Sequence, residues 1–182
     1  IQQVQRVADH ADHHRADQIR VRAGEAVLGW LLYQGHGLPR DHQEAAALFE
    51  RATRRGDLRG MTWLALCLLR GHGVLRRDAK RARQLLEDAA AQQVREARYW
   101  LGRAHYFGEF GEPDYPAATG WLAPAAEAGD MAAADLLARC RFFGRGVAED
   151  RAEAVRWWLL AAEGEVPSAH YCLGLCYHAG EG

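Results

Sequence analysis

The chain has 182 residues, of which 49% are hydrophobic, and its 23 Lys and Arg residues nearly balance its 24 Asp and Glu residues. The hydrophobic fraction is enough for a sizeable core and excludes disorder as the main state. The near-zero net charge provides no global field that would recruit nucleic acid or an anionic membrane, so we expect no nucleic acid partner.

Residues 1–22 form the first segment, which we expect to be a degenerate helix. It contains three histidines, His10, His13 and His14. On a helix, the first and last of these share one face and have an aspartate within reach, Asp9 or Asp17, which is a geometry that can chelate a transition metal. A solvated polar helix explains the same residues equally well. Both interpretations stay open, and we assign no metal ligand.

From residue 23 onward the sequence repeats with a period of about 36 residues. A glycine that opens a short loop marks the period and occurs at Gly35, Gly71, Gly108, Gly144 and Gly180. A small residue lies eleven residues before each glycine, a leucine seven before and an apolar residue four before. These offsets place the residues on one face of an α-helix. We therefore predict one helix, helix A, before each loop.

A second helix, helix B, is predicted after each loop. An aspartate stands at each expected start, at Asp41, Asp78, Asp114 and Asp150. Its carboxylate can accept the free N–H groups of the first helical turn. Glu44 and Glu153 lie three residues further on, which predicts capping boxes. Alanines four and eleven residues after each aspartate, with bulky apolar residues between them, indicate one packed stripe.

Three glycines, Gly56, Gly129 and Gly164, stand where helix B should end, and we expect each to close the helix in a left-handed conformation. The second repeat has Gln93 at this place, which predicts a different or looser turn. Pro124 lies inside the third helix B and is expected to bend or break it, because proline removes one hydrogen bond and clashes with the preceding turn. The third repeat is therefore predicted to be the least regular.

The small residues, the leucine, the Gly-x-Gly loop and the Asp-x-x-x-Ala segment together resemble the Sel-one-like repeat, a relative of the tetratricopeptide repeat. The resemblance covers residues 23–182, and the repeats run approximately over 23–57, 58–93, 94–130, 131–165 and a partial 166–182. It implies an all-α fold, a right-handed superhelical solenoid of helix-turn-helix repeats. Because the last repeat stops after its helix A, we expect the parent protein to continue.

No residues form a recognisable catalytic arrangement, so we predict no catalytic residue, no cofactor and no enzymatic activity. Ser168 is the only serine, and no lysine follows it at the spacing that a Ser-x-x-Lys hydrolase requires. Cys67, Cys140 and Cys176 share one helix A position on the side expected to be buried, which indicates packing. Cys172 lies one turn before Cys176 and has histidines nearby, so a soft-metal site is an alternative. We favour packing.

By resemblance to tetratricopeptide arrays, a partner is expected on the concave face that helix A forms, at positions that differ between copies. The candidate partner-binding residues are Trp30, Tyr33, Arg59, Tyr99, Arg103, Tyr106, Asp135, Arg139, Phe142 and Tyr171. Most are Tyr, Trp or Arg, the types that dominate binding hot spots. For Tyr33, Tyr106 and Phe142, packing against the adjoining repeat is an equal alternative. Another position changes from Trp30 to arginines in later repeats, as selective recognition of an amphipathic or acidic partner would require.

These features predict a scaffold or adaptor that binds a protein or peptide partner. The alternative is an envelope-associated enzyme or a protein that binds small molecules or cell-wall fragments, which would need a closed pocket with convergent polar groups. No run reaches the roughly 18 apolar residues of a membrane span, so no span is predicted. A single lysine and a single serine are typical of a GC-rich bacterial genome. Both cytoplasm and periplasm stay open.

Overall fold

The computed structural model describes residues 24–74 and 76–180 of the chain. Nine helices and no strand occur in these residues. In chain order they are α1 Glu25–Gln34, α2 His42–Arg54, α3 Leu58–Arg70, α4 Ala79–Ala91, α5 Arg95–Phe107, α6 Tyr115–Glu127, α7 Met131–Phe143, α8 Arg151–Glu163 and α9 Pro167–Ala179. Odd-numbered helices are the predicted helices A and even-numbered ones the helices B. The all-α repeat fold is therefore confirmed, whereas the helix predicted over 1–22 lies outside the described residues.

The chain divides into two compact units, Ile1–Leu85 and Leu86–Gly182. In the first unit, α2 packs against both α1 and α3, and Phe49 of α2 is completely buried. In the second unit, each helix from α5 to α9 packs against the next, and Leu122 and Trp158 lie at the centre of the core. Helix A and helix B of one repeat thus bury the apolar stripes that the sequence predicted.

Small residues allow the two helices of a repeat to approach closely. A Cβ atom at Gly29 would lie 2.7 Å from a ring carbon of Phe49. At Gly102 in the second unit, a Cβ would lie 2.7 Å from Cγ of Leu122. Both distances are shorter than a carbon–carbon contact permits, so the bulky side chain of helix B occupies the space that a side chain on helix A would need.

Each helix B begins at the predicted aspartate, which forms two kinds of hydrogen bond. The Asp41 carboxylate accepts the backbone N–H groups of Gln43 and Glu44, both at 2.9 Å. The backbone N–H of Asp41 donates to the carbonyl oxygen of Leu32, three residues before the loop glycine, at 3.0 Å. The same two bonds recur at Asp78, Asp114 and Asp150. One residue therefore satisfies orphan groups at the end of helix A and at the start of helix B.

The predicted capping boxes are wrong. A capping box needs the N–H of the cap residue to bond to the glutamate side chain, but the N–H of Asp41 is already bonded to Leu32. The Glu44 carboxylate instead accepts a hydrogen bond from Arg51 at 3.2 Å. Glu153 likewise forms an ion pair with an arginine. The hydrogen bond from the Asp41 N–H to the Leu32 carbonyl oxygen in helix A thus takes the place of the bond to the glutamate side chain.

The expected break at Pro124 does not occur, since α6 continues through this residue to Glu127. Pro124 cannot donate the hydrogen bond that would reach the carbonyl oxygen of Gly120. Gly120 is exposed, so water can bond to that carbonyl. The missing bond therefore costs too little to end the helix, whose buried face is held by Leu122 and Ala125.

Four residues adopt the left-handed conformation at the end of helix B, and only two of them are glycines. Gly56 and Gly129 have φ angles of 80° and 84°, while Gln93 and Glu165 have φ angles of 64° and 58°. Gly164 has a φ of −84°, so its predicted left-handed conformation is wrong, and the equivalent residue is Glu165. The looser turn predicted at Gln93 is also wrong.

A backbone hydrogen bond at the end of helix B fixes this turn, which explains why residues other than glycine adopt the left-handed conformation there. The residue after the left-handed one donates its N–H to the carbonyl of a buried alanine, as Asp57 does to Ala52 at 3.0 Å and Val94 to Ala89 at 3.3 Å. The bond requires a left-handed residue four positions after the alanine. Glutamine and glutamate therefore adopt the strained conformation that glycine adopts freely.

The second glycine of two loops lies against the preceding repeat. Gly73 and Gly146 have φ angles of 69° and 73°. A Cβ atom at Gly73 would overlap the backbone of His42, the first residue of α2, and one at Gly146 would overlap the backbone of Tyr115, the first residue of α6. These loops thus contact the start of helix B in the repeat before, and any side chain would separate the two.

We predict that Gln93→Gly and Glu165→Gly each stabilise the protein. Relief of the left-handed strain, about 1–2 kcal/mol, is partly offset by the extra freedom of glycine in the unfolded chain, about 0.5–1 kcal/mol. The urea midpoint should rise for both variants. Gln92→Gly, one residue away at a position without a positive φ, is the matched control and should lower it. A fall in the midpoint for the first two variants would contradict the strain.

We also predict that Gly146→Ala destabilises the second unit more than Gly129→Ala does. Both residues have a positive φ, but a Cβ at Gly129 would meet no atom within 4 Å. The control thus loses only about 1–2 kcal/mol through backbone strain. Gly146→Ala adds a steric overlap with backbone that costs about 1–3 kcal/mol more. Thermal or urea unfolding measures the difference, and equal losses would show that the loop does not need this close contact.

Candidate partner-binding site

A groove of about 680 Å³ lies in the second unit between α5, α7 and the start of α9. We call it the α5–α7 groove. Five of the ten predicted partner-binding residues line it, namely Tyr99, Arg103, Tyr106, Asp135 and Arg139. Four further lining residues that matter for its chemistry were not predicted, namely Phe107, Tyr115, Arg145 and Ser168. The helix A positions chosen from the sequence therefore do converge within this unit.

Asp135 is the buried centre of the groove, with only 6% of its surface exposed. Its Oδ1 accepts a hydrogen bond from Nε1 of Trp158 at 3.0 Å. Its Oδ2 accepts one from Oγ of Ser168 at 2.9 Å and one from Nε of Arg139 at 3.2 Å. Both carboxylate oxygens are thus occupied, and Asp135 acts on the groove by orienting the Arg139 guanidinium.

Arg103 is held beside the groove by an ion pair and two aromatic rings. Its Nη1 lies 2.5 Å from Oε1 of Glu109. Its guanidinium carbon lies 5.3 Å from the ring centre of Trp100 and 5.1 Å from that of Phe107. Cation–π attraction and the ion pair restrict the side chain. Phe107 itself is 54% exposed, so its ring offers apolar surface to the groove.

Arg145 lines the groove and joins two repeats. It donates a hydrogen bond from Nη1 to the hydroxyl of Tyr106 at 2.9 Å. Its guanidinium carbon also lies 5.3 Å from the ring centre of Tyr115 and 5.1 Å from that of Phe143. Tyr106 is buried, and this burial raises its pKa, although Arg145 lowers it in part. The Tyr106 hydroxyl therefore stays protonated and bonded in the junction.

The first unit contains an equivalent junction, that is, a side-chain contact between two consecutive repeats, but partly different residue types form it. Arg70 donates to the hydroxyl of Tyr33 at 3.0 Å, and that hydroxyl lies 2.9 Å from Nδ1 of His72. The Tyr33 hydroxyl accepts the hydrogen bond of Arg70, and it can donate its own proton to Nδ1 of His72 when that ring is neutral and carries its hydrogen on Nε2. The His72 ring stacks on that of His42, with centres 4.6 Å apart. Burial, followed by the charges of His42 and Arg70, lowers the pKa of His72.

The two junctions share one spacing, which was not predicted from the sequence. A tyrosine two residues before one loop glycine bonds to the residue directly after the next loop glycine. The pairs are Tyr33 with His72 and Tyr106 with Arg145, each 39 residues apart. The residue after the loop glycine differs between repeats, so that position shows no pattern by itself; the signal appears when it is compared with the tyrosine of the repeat before.

The remaining predicted site residues lie elsewhere. Trp30, Tyr33 and Arg59 belong to the first unit, where Trp30 contacts His36 and Arg59 is exposed in the first turn of α3. In the second unit, Phe142 packs on Trp158 with ring centres 5.3 Å apart. Tyr171 is 69% exposed on α9 and does not line the groove.

The cysteines lie where packing predicts. Cys67, Cys140 and Cys176 are buried, and Cys172 is half-buried. Burial raises the pKa of the Cys67 thiol to about 12 and that of the Cys140 thiol to about 11. Over 24–74 and 76–180, no group of three or more His, Cys, Asp or Glu side chains is arranged to hold a metal ion. The His10 cluster lies outside these residues.

In the part of the chain that the structure describes, no helix has both the length and the apolar character needed to span a bilayer.

Comparisons with known proteins identify the repeat. The family model of the Sel1 repeat matches five times, over residues 23–57, 58–94, 95–130, 132–165 and 167–182. The structure is similar to that of a Sel1 repeat protein from Oxalobacter formigenes, with 27% identity and a TM-score of 0.76. It is also similar to a protective antigen of uropathogenic Escherichia coli strains with an SLR fold, with 26% identity and a TM-score of 0.79. No curated protein matches the chain.

A third structure shares the fold alone. Helicobacter pylori cysteine rich protein B is 19% identical, with a TM-score of 0.56 over 74% of this chain and 96% of its own. The first two matches cover 87% and 92% of this chain but only 64% and 37% of the matched proteins. This chain thus spans less than two thirds of either, and the resemblance to the Sel-one-like repeat is confirmed.

We predict that acid weakens the first unit through His72. The unfolded chain protonates this histidine near pH 6.5, whereas the folded state resists protonation because its pKa is lowered. Its contribution to stability is therefore complete above pH 6.5 and is lost as the pH falls through the lowered pKa.

The measurement is the melting temperature between pH 7.5 and pH 5 for the natural protein and for His72→Gln, whose side-chain amide can still form a hydrogen bond with the Tyr33 hydroxyl. The variant should lose less stability in acid than the natural protein does. His36→Gln changes the same loop position in the first repeat, where the histidine is exposed, and should leave the acid loss unchanged. An identical pH profile for His72→Gln would contradict the prediction.

Proposed function

Because the chain belongs to the Sel1 repeat family, whose members generally serve as scaffolds for protein interaction, we propose that it binds a segment of another protein in the α5–α7 groove. The observation that carries the proposal is the convergence of exposed aromatic surface and oriented arginines on one groove. Its volume of about 680 Å³ is in the range of known ligand sites. Tyrosine and arginine, which are enriched in binding hot spots, are prominent among its lining residues.

The restricted side chains of two arginines in the groove also support binding. Arg139 is held by Asp135, and Arg103 by Glu109 and two rings. A side chain that is already restricted loses less conformational entropy when a partner binds. Phe107, beside Arg103, offers an exposed apolar surface to the groove, and burying it would contribute favourable free energy.

Contacts around Ser168 support binding rather than catalysis. This hydroxyl donates to Asp135, the group that would have to act as its base. The same carboxylate accepts bonds from Trp158 and Arg139. The Asp135 carboxylate thus holds Ser168, Trp158 and Arg139 in place through hydrogen bonds on both of its oxygens. This agrees with the Sel1 repeat family, whose members are typically not enzymes.

Site-specific photo-crosslinking tests the proposal. We expect p-benzoylphenylalanine at position 107 to form an adduct with a partner protein in cells that express the full-length protein. The same group at position 177 is the matched control, because Tyr177 is a similarly exposed aromatic residue, 67% exposed, outside the groove. Adding Arg103→Gln and Arg139→Gln should reduce the adduct at 107 at least tenfold, since two hot-spot residues of about 1 kcal/mol each contribute about 2 kcal/mol together. Equal adducts at both positions would contradict the groove assignment.

A further inference from the structure

The charges that face the α5–α7 groove are unequal. Three arginines line it, Arg103, Arg139 and Arg145, against one carboxylate, that of Asp135. The Asp135 side chain is buried and both of its oxygens accept hydrogen bonds from the protein. Arg103 and Arg139 are each paired with one carboxylate, Glu109 and Asp135, whereas Arg145 is paired with no carboxylate of the described residues, so the groove keeps an excess of positive charge.

Two of these arginines keep donors for a ligand. Arg139 uses Nε for Asp135, and among the described residues no acceptor bonds to its Nη1 and Nη2 groups. Arg145 gives one hydrogen bond to Tyr106 and otherwise lies over aromatic rings. Guanidinium groups bind carboxylates through paired N–H donors, which are among the stronger hydrogen bonds in proteins.

The groove also has an apolar wall. Phe107 is exposed, and Tyr99 and Tyr115 line the groove with it. An occupant made only of carboxylates would leave this wall in contact with water. An occupant with apolar side chains between its acidic residues would cover the wall and neutralise the arginines together.

We infer that the occupant of the groove is an acidic peptide segment with interspersed apolar side chains, whose carboxylates bind Arg139 and Arg145 and whose apolar side chains cover Phe107. This inference rests on the proposed function and names the chemistry of the partner. Single-stranded nucleic acid could also use arginines and aromatic rings. The balanced charge of the whole chain, with a net charge of −1, lacks the positive field that binding a phosphate backbone requires, and so favours the peptide.

Selection from a display library of random dodecapeptides, with the full 182-residue chain as bait, tests the inference. The enriched peptides should contain more Asp and Glu than the starting library, and their affinity should fall as salt rises. Arg139→Gln should weaken the selected peptides about tenfold, the loss expected from one charge-assisted pair.

A charge swap provides a variant that keeps the fold. Arg103→Glu combined with Glu109→Arg preserves an ion pair and the net charge, but removes a positive charge from the groove, because Glu109 does not line it. The swap should weaken the same peptides. Arg156→Glu, at an exposed arginine of α8 outside the groove, is the matched control and should not. Circular dichroism checks that each variant stays folded.

The outcomes separate the two proposals. Peptides that bind and are sensitive to Arg139→Gln but are not acidic would overturn this inference and leave the proposed function standing. A library without any enriched peptide would count against both. A labelled oligothymidine that binds more tightly than the best peptide, and loses affinity in Arg139→Gln, would replace the peptide by nucleic acid.

Discussion

The aspartate at the start of helix B is the constraint on which each repeat depends. Its backbone N–H bonds to a carbonyl near the end of helix A, and its carboxylate bonds to the first turn of helix B. One residue thus fixes the path of the chain between two helices. The loop glycine makes this possible by ending helix A in the left-handed conformation. The close contact of Gly29 with Phe49 and of Gly102 with Leu122 follows from that fixed connection.

Contacts between consecutive repeats use the same loops. Gly146 lies against the backbone of Tyr115, and Arg145, the residue before it, bonds to Tyr106 of the repeat before. Tyr115, Tyr106 and Arg145 all line the α5–α7 groove. The side chains that join the third and fourth repeats in the second unit therefore also form part of the wall of the groove.

Much of this arrangement is readable from the sequence because it depends on local spacing. The period, the aspartate caps and the small residues on helix A follow from positions within one repeat. The turns at Gln93 and Glu165 were not predictable from residue type, because a hydrogen bond to a buried alanine, and not glycine itself, imposes the left-handed conformation. Asp135 was placed correctly on helix A, but its partners Trp158 and Ser168 come from α8 and α9, 23 and 33 residues away. Helical periodicity relates residues within one helix, so it could not pair Asp135 with side chains of α8 and α9.

The position after the loop glycine shows how one site in a repeat can serve both structure and recognition. In the first unit it is His72, whose Nδ1 lies 2.9 Å from the Tyr33 hydroxyl. In the second unit it is Arg145, which is always charged and donates to Tyr106 while keeping further N–H groups. Both side chains complete the same contact between repeats, but the arginine of each junction comes from a different place. In the first unit it is Arg70, the last residue of α3, and in the second unit it is Arg145, the loop residue itself. The choice of residue after the loop glycine therefore decides whether the cation of the junction lies on the loop, where in the second unit it lines the α5–α7 groove.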